Sequence, residues 1–440
     1  MKKLEGRAFL CLTLAMMLVI GLGAFVYRLA RDGGDWASFY ANQHIYKSGK
    51  LTVGAIYDRT GIRLLSNDED GSHYADDGEL RKANFHVVGD KGSNVTTAAN
   101  SAFRKHMVGY NIIGGTNHTL LGKNRRVTLT IDAELNRTAY RALAGREGFI
   151  SVYNWKTGDI VCMVSAPAAD PAAELDGSKL KEGTFINKVL SSTYTPGSTF
   201  KLVTAAAAIE PIEGLNQWEF TCDRTYDIDG EEIICPENHG KVDFAGALAK
   251  SCNGAFAALT VELGSEAMED YVKKLGLTER YDVDGIKAAE GSFNFDTYDI
   301  NLGWAGIGQF EDQVNPLSMM VYMGAIAGEG NGAQPRLIYD KNLSGTNVKK
   351  VKLLSAGTAR QLKELMRNNV LKTYGEGNYE GLDLHAKSGT AETGPGKKPN
   401  SWFCGFSGDY AFVVCIEEGG YGSAVAGPVA GKQLRQIHNK

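Results

Sequence analysis

Hydrophobic and polar positions change texture twice along the chain. Residues 8–27 carry no charged side chain. Twenty such residues rise roughly 30 Å as a helix, enough to cross a bilayer. Lys2, Lys3 and Arg7 precede the run, which predicts a cytoplasmic tail over residues 1–7 and a body on the outer side. Arg28 and Arg31 follow it, so the charge asymmetry is small. A cleaved signal peptide is the rival reading. The run is longer than a usual signal-peptide core and no A-x-A site ends it, so a retained transmembrane helix over 8–27 is expected.

Between residues 31 and 145 the patterns are short, and Gly, Asn, Asp and Ser are frequent. Residues 51–56 read as a strand and Asp58-Arg59-Thr60-Gly61 as a turn. Residues 127–131 read as another strand. Asp132 then caps a helix running to Leu143. This stretch is expected to be a small α+β module rather than the main core.

Longer apolar runs begin at Gly148. Residues 149–153 and 160–164 are strand-like and are joined by Lys156-Thr157-Gly158, which predicts a hairpin. An apolar helix opens at Ser198 and runs through an alanine series to Ile209. A second helix fits residues 355–371, capped by Ser355, with Ala359, Leu362, Met366 and Val370 on one stripe. Strands return at 401–405 and 410–416 around Ser407-Gly408-Asp409. The fold class is α+β: a central antiparallel sheet flanked by helices over residues 146–440. No internal repeat is present.

The chain has 440 residues, 43% of them apolar, which allows a sizeable core. Its net charge of −4, without a long basic run, argues against a nucleic-acid partner. Seven cysteines are scattered; Cys222 and Cys235 flank a short polar segment, where a disulfide and free thiols are both open. No C-x-x-C or H-E-x-x-H occurs, so neither a metal nor an organic cofactor is expected.

The candidate chemistry lies in three motifs. In Ser198-Thr199-Phe200-Lys201, serine and lysine stand three residues apart on a helix and share a face. Ser198 is the expected nucleophile, and Lys201 is the expected base. The lysine can act so only as a neutral amine, and burial and the neighbouring Lys387 cation would both depress its pKa. Ser251-Cys252-Asn253 follows 53 residues on. Ser251 is placed to pass a proton to a leaving amine, and Asn253 suits a substrate peptide bond. In Lys387-Ser388-Gly389-Thr390, the lysine is expected to supply positive charge to an anionic substrate end, and Ser388 and Thr390 to supply hydroxyls. Gly389 lets a substrate backbone lie close. Backbone N–H groups of Ser198 and Thr390 would form an oxyanion hole. Singly, each motif is commonplace: a helix cap, a turn, a strand end. Their joint order, S-x-x-K then S-x-N then K-[ST]-G, is not.

With these motifs the chain resembles a class B penicillin-binding protein, a monofunctional peptidoglycan transpeptidase. The resemblance extends over residues 54–435. It includes Gly54-Ala55-Ile56-Tyr57-Asp58-Arg59-Thr60-Gly61, Leu129-Thr130-Ile131-Asp132 and Thr195-Pro196-Gly197 before Ser198. His239-Gly240, Gly308-Gln309, Val314-Asn315-Pro316-Leu317 and Trp402-Phe403 also fit. The resemblance implies acylation of Ser198 by a stem peptide ending in D-Ala-D-Ala, release of D-alanine, and resolution by a neighbouring strand's amine. It implies acylation by β-lactams, a catalytic domain outside the bacterial cell membrane, a part in cell-wall synthesis and cell shape, and a SEDS-family glycosyltransferase as partner. It makes residues 31–145 an N-terminal pedestal, which is short for class B and leaves no room for a glycosyltransferase domain.

Three rivals share parts of this reading. A β-lactamase would add a deacylating glutamate, and Glu290-Gly291-Ser292-Phe293-Asn294 comes near the E-x-x-L-N pattern. A D,D-carboxypeptidase would use water to resolve the same acyl-enzyme. A β-lactam sensor or a non-catalytic polymerase scaffold is the third; intact motifs argue against a scaffold, and a seven-residue tail is short for a signalling segment.

Overall fold

The computed structural model describes residues 2–39, 41–42, 45–47, 50–116, 125–340 and 348–439. Helix α1 (Lys2–Ala37) extends beyond the uncharged run at both ends. It is long and apolar enough to cross a membrane, and none of its apolar stretch is buried against the rest of the protein.

A four-stranded sheet follows, built from β1 (Ala55–Tyr57), β2 (Arg63–Asp68), β3 (Gly71–Tyr74) and β4 (Arg126–Thr128), in the order β3-β2-β1-β4. Strand β1 pairs parallel with β4 and antiparallel with β2. The strand expected over 51–56 is broken before β1. Gly54 lies at φ +95°, and a Cβ there would stand 2.5 Å from the Met107 Cβ, so the chain turns where continuous pairing was expected. The turn after β1 is tied to a helix more than 70 residues on by one carboxylate. Asp58, fully buried, accepts from the N–H groups of Thr60 at 2.9 Å and Ile62 at 2.8 Å. It also accepts from the Ala133 N–H at 3.0 Å, at the start of α2 (Ala133–Leu143), which Asp132 caps as expected.

The main sheet has five antiparallel strands: β5 (Gly148–Asn154), β6 (Ile160–Ala166), β7 (Leu384–Ala391), β8 (Asn400–Ser407) and β9 (Tyr410–Ile416), in the order β7-β8-β9-β5-β6. Its strands divide their side chains between two cores at period two. Phe149, Tyr153, Trp402, Cys404, Val413 and Cys415 enter one, with α3 (Lys201–Ile209) and α5 (Pro316–Ala327). Ile150, Val152, Phe403, Phe412 and Val414 enter the other, against α2 and α7 (Gly422–His438). Both faces are covered, which is why these strands read as near-continuous apolar runs.

Helices α3, α4 (Asn253–Leu263) and α5 pack on the first face. Every residue of α5 is buried; Asn315 caps it by accepting from the Leu317 and Ser318 N–H groups, and Pro316 stands in its first turn. Helix α6 (Ala356–Asn369) is capped by Ser355 as expected. It ends at Asn369, two residues before the expected end at Leu371, and passes into a wider turn, Val370–Tyr374. The expected helix at Ser198 likewise begins with a tighter turn, Gly197–Thr199, before α3. In such a turn positions i and i+3 still lie one above the other. All seven cysteines are free thiols, so Cys222 and Cys235 are not joined.

Candidate active site

The three motifs meet where α3, α4 and β7 converge. Gly197 packs directly on the third motif: at φ +55°, a Cβ there would lie 2.7 Å from the Thr390 carbonyl oxygen. Its N–H donates to the Gly308 carbonyl at 2.8 Å. Gly389 faces the same turn, since a Cβ on it would come within 2.9 Å of Thr199 Cγ2 and 3.0 Å of the Pro196 carbonyl. Two glycines thus press the Ser198 turn against the strand that carries the third motif. The close approach expected of Gly389 is made here by the protein's own backbone.

Lys201 opens α3 and is fully buried. Its Nζ lies 3.2 Å from Ser198 Oγ and 3.2 Å from Ser251 Oγ. It also donates to the Ser251 carbonyl at 2.6 Å and to Asn253 Oδ1 at 2.7 Å. Burial lowers its pKa to about 8, against an opposing pull from the Cys252 and Cys235 sulfurs. The repulsion expected between the two amines falls instead on Lys387, which burial first and Lys201 second push well below the ordinary lysine value.

Ser251 sits at φ +57°, a left-handed position unusual for a residue with a side chain. Its hydroxyl lies between the two amines, with Lys387 Nζ at 3.0 Å. Asn253 is engaged at both ends of its amide: Oδ1 with Lys201, and Nδ2 with the Ile234 carbonyl at 2.7 Å.

The third motif is arranged differently from the sequence expectation. Lys387 is fully buried and turns to Ser251 and to the Ser388 carbonyl, at 2.8 Å. It does not line the cavity, because its strand position alternates with those that do. The Ser388 hydroxyl accepts from the Tyr374 hydroxyl at 3.0 Å, and the Ser388 N–H donates to the same Tyr374 oxygen at 2.8 Å. Burial pushes the Tyr374 phenol up to about 12, so it stays a donor. Thr390 Oγ1 accepts from the Gly422 N–H at 3.3 Å.

A cavity of about 660 Å³ opens over these groups, lined by Ser198, Ser251, Asn253, Ser388 and Thr390. Arg224, Lys250, Trp304, Glu392 and Tyr421 also stand in its wall. Sequence reasoning missed these and Tyr374. The sign that Arg224 carries is a charge in the polar segment before the second motif; for Tyr374 no local signal exists. Glu290, the candidate deacylating carboxylate, is exposed, paired with Arg280 at 3.0 Å, and absent from the cavity wall.

The geometry agrees with what comparison with known proteins finds. The family model described as the penicillin binding protein transpeptidase domain matches residues 148–435, and the chain belongs to that family. The chain is similar to the peptidoglycan D,D-transpeptidase PbpA of Mycolicibacterium smegmatis, at 28% identity over 69% of this chain and 70% of that protein. Its similarity to PbpA of Mycobacterium tuberculosis is 27%, over 64% of this chain and 65% of that one. It also resembles the stage V sporulation protein D of Bacillus subtilis, at 26% over 70% of this chain and 52% of the relative. In fold it is similar to crystalline PBPA from M. tuberculosis, with a TM-score of 0.75 at 23% identity, covering 88% of this chain and 99% of that one. The penicillin G acyl-enzyme complex of that protein gives a TM-score of 0.74 at 22%, over 88% and 100%.

Proposed function

We propose that this chain is a serine D,D-transpeptidase that cross-links peptidoglycan stem peptides through an acyl-enzyme on Ser198. The observation that carries the reading is the buried Lys201 amine, 3.2 Å from both the Ser198 and the Ser251 hydroxyls. With a pKa of about 8, roughly a tenth of it is neutral near pH 7. The Ser198 oxygen attacks the carbonyl of the penultimate D-alanine, and its proton passes to Lys201 Nζ. The Ser251 hydroxyl, bonded to both amines, relays a proton to the departing D-alanine nitrogen. The Ser198 and Thr390 N–H groups receive the developing oxyanion. An amine from a second stem peptide then attacks the ester, with the proton path reversed.

In this reading Asn253 and β7 hold the donor peptide. Because Lys387 is buried, the cavity-wall cations Arg224 and Lys250 are better placed than its ammonium to meet an anionic substrate end. Lys387 then acts through Ser251. β-Lactams acylate Ser198 in place of the stem peptide. Residues 146–440 form the acyl-transfer domain, 31–145 the pedestal, and 8–27 the anchor that leaves the site outside the cytoplasmic membrane. A SEDS-family glycosyltransferase is the polymerase partner on the resemblance to class B members alone. Glu290, tied to Arg280, gives no support to a β-lactamase.

The test is acyl transfer by the full chain in detergent, from a stem-peptide thioester donor to a D-amino acid acceptor, followed by mass spectrometry. Transfer product is expected and disappears in Ser198→Ala. Hydrolysis product alone would make the protein a carboxypeptidase.

A further inference from the structure

The second motif has a neighbour that the acyl-transfer chemistry does not use. Cys222 ends the strand Glu219–Cys222, which pairs with Gly240–Asp243 in the register Cys222 to Gly240. That register brings His239 beside Cys222, with Nδ1 3.4 Å from the Cys222 sulfur. Cys235 follows the strand Glu231–Ile234, and its own N–H donates to the Arg224 carbonyl at 2.7 Å. Cys252 is the middle residue of Ser251-Cys252-Asn253. Its sulfur is 3.8 Å from that of Cys235.

The ligand atoms of Cys222, Cys235, His239 and Cys252 all lie within 4.8 Å of one another, with the three cysteines buried. Metal–sulfur bonds of about 2.3 Å in a tetrahedron place neighbouring sulfurs roughly 3.8 Å apart, and a sulfur and a nitrogen slightly closer. Two of the separations, 3.8 and 3.4 Å, match those edges. Three thiols and one imidazole are the donor set of structural zinc sites. The Cys235 sulfur also accepts from the N–H groups of Asn253 at 3.1 Å and Gly254 at 3.4 Å, the kind of outer support that stabilises a metal-bound thiolate.

We propose that Cys222, Cys235, His239 and Cys252 form a tetrahedral site for a zinc-class divalent cation that clamps the turn bearing Ser251 and Asn253. The spacing C-x12-C-x3-H-x12-C is too open to announce the site in sequence, which is why no metal was expected; strand pairing assembles it. The clamp has a target. Ser251 is held at φ +57° between two buried amines, and a strained turn persists only when its surroundings fix it. Cys252 is covalently next to it, and Cys235 lies in the cavity wall. The four ligands are positioning residues: the Lys201 amine bonds to Ser198, Ser251 and Asn253 rather than to any of them.

The test is elemental analysis of the full chain purified in detergent, followed by Co2+ substitution. About one zinc per chain is expected, and the cobalt form should show thiolate-to-metal charge transfer with tetrahedral d–d bands. Both should be lost in Cys222→Ser and His239→Ala and kept in Cys11→Ser, whose thiol lies in α1. Chelator-stripped wild-type chain should acylate with a penicillin roughly 10–100-fold more slowly, the range a misplaced group costs, and recover on adding Zn2+ alone. Wild-type chain without stoichiometric metal and without the cobalt spectrum would overturn the site, as would a disulfide among the three cysteines. Full metal with unchanged acylation after stripping would overturn the clamp. Metal content is read without turnover, so this site and the acyl-transfer reading fail separately.

Discussion

The Lys201 amine reaches the Ser198 hydroxyl at 3.2 Å without leaving the protein interior. A lysine that stays buried must shed its charge at lower pH than one in water, and this links the packing of α3 to the chemistry of the serine before it. Removing the amine should therefore remove the base but leave the nucleophile. Lys201→Ala is expected to slow acylation by a penicillin by ~10²–10⁴-fold. Stopped-flow acylation of the folded variant checks this; an unchanged rate would rule Lys201 out as the base.

The same burial sets a pH dependence. Lys201 is lowered to about 8 from 10.5, and only its neutral form can accept the Ser198 proton. The acylation rate should climb about tenfold per pH unit and level off near pH 8. For stability the sign is also fixed. Between about 8 and 10.5 the unfolded chain holds a proton that the native chain has lost, so the unfolding free energy rises with pH across that window. Lys387, depressed in the same sense, adds to the rise. A flat rate profile between about pH 6 and 9 would contradict this account of Lys201.

Tyr374 supports the outer edge of the main sheet. Strand β7 is an edge strand, and the Tyr374 hydroxyl takes the Ser388 N–H while donating to the Ser388 hydroxyl. Tyr374→Phe should destabilise the protein by about 1–3 kcal/mol, the cost of a polar group left without a partner, and slow acylation by loosening β7. Denaturant unfolding together with acylation rates measures both.

Asp58 makes a similar connection between the two sheets. One buried carboxylate satisfies N–H groups in the turn after β1 and at the start of α2. Asp58→Ala should cost ~2–4 kcal/mol while leaving the chemistry of Ser198 intact in the folded fraction. Thermal unfolding in detergent, with penicillin labelling of the surviving native protein, separates the two effects.

What was legible in the sequence is what depends on local spacing. Ser198 and Lys201 share a face because they stand three positions apart, and the hairpin of β5 and β6 follows from two apolar runs around Lys156-Thr157-Gly158. The Asp132 and Ser355 caps were readable for the same reason. What was not legible depends on distant packing. Tyr374 meets Ser388 only because α6 closes in a wide turn beneath β7. Lys387 reads as a cation in sequence but is buried by the sheet and helices around it. Cys222 and His239 become neighbours only through the register of two strands.

The most direct measurement is the intact mass of the full chain after incubation with a penicillin, followed over hours and mapped by peptide digestion. A persistent adduct of one penicillin on Ser198, absent from folded Ser198→Ala, is the expected result. An adduct on another residue, normal labelling of Ser198→Ala, or rapid hydrolysis of the drug without an adduct would contradict a transpeptidase working through Ser198.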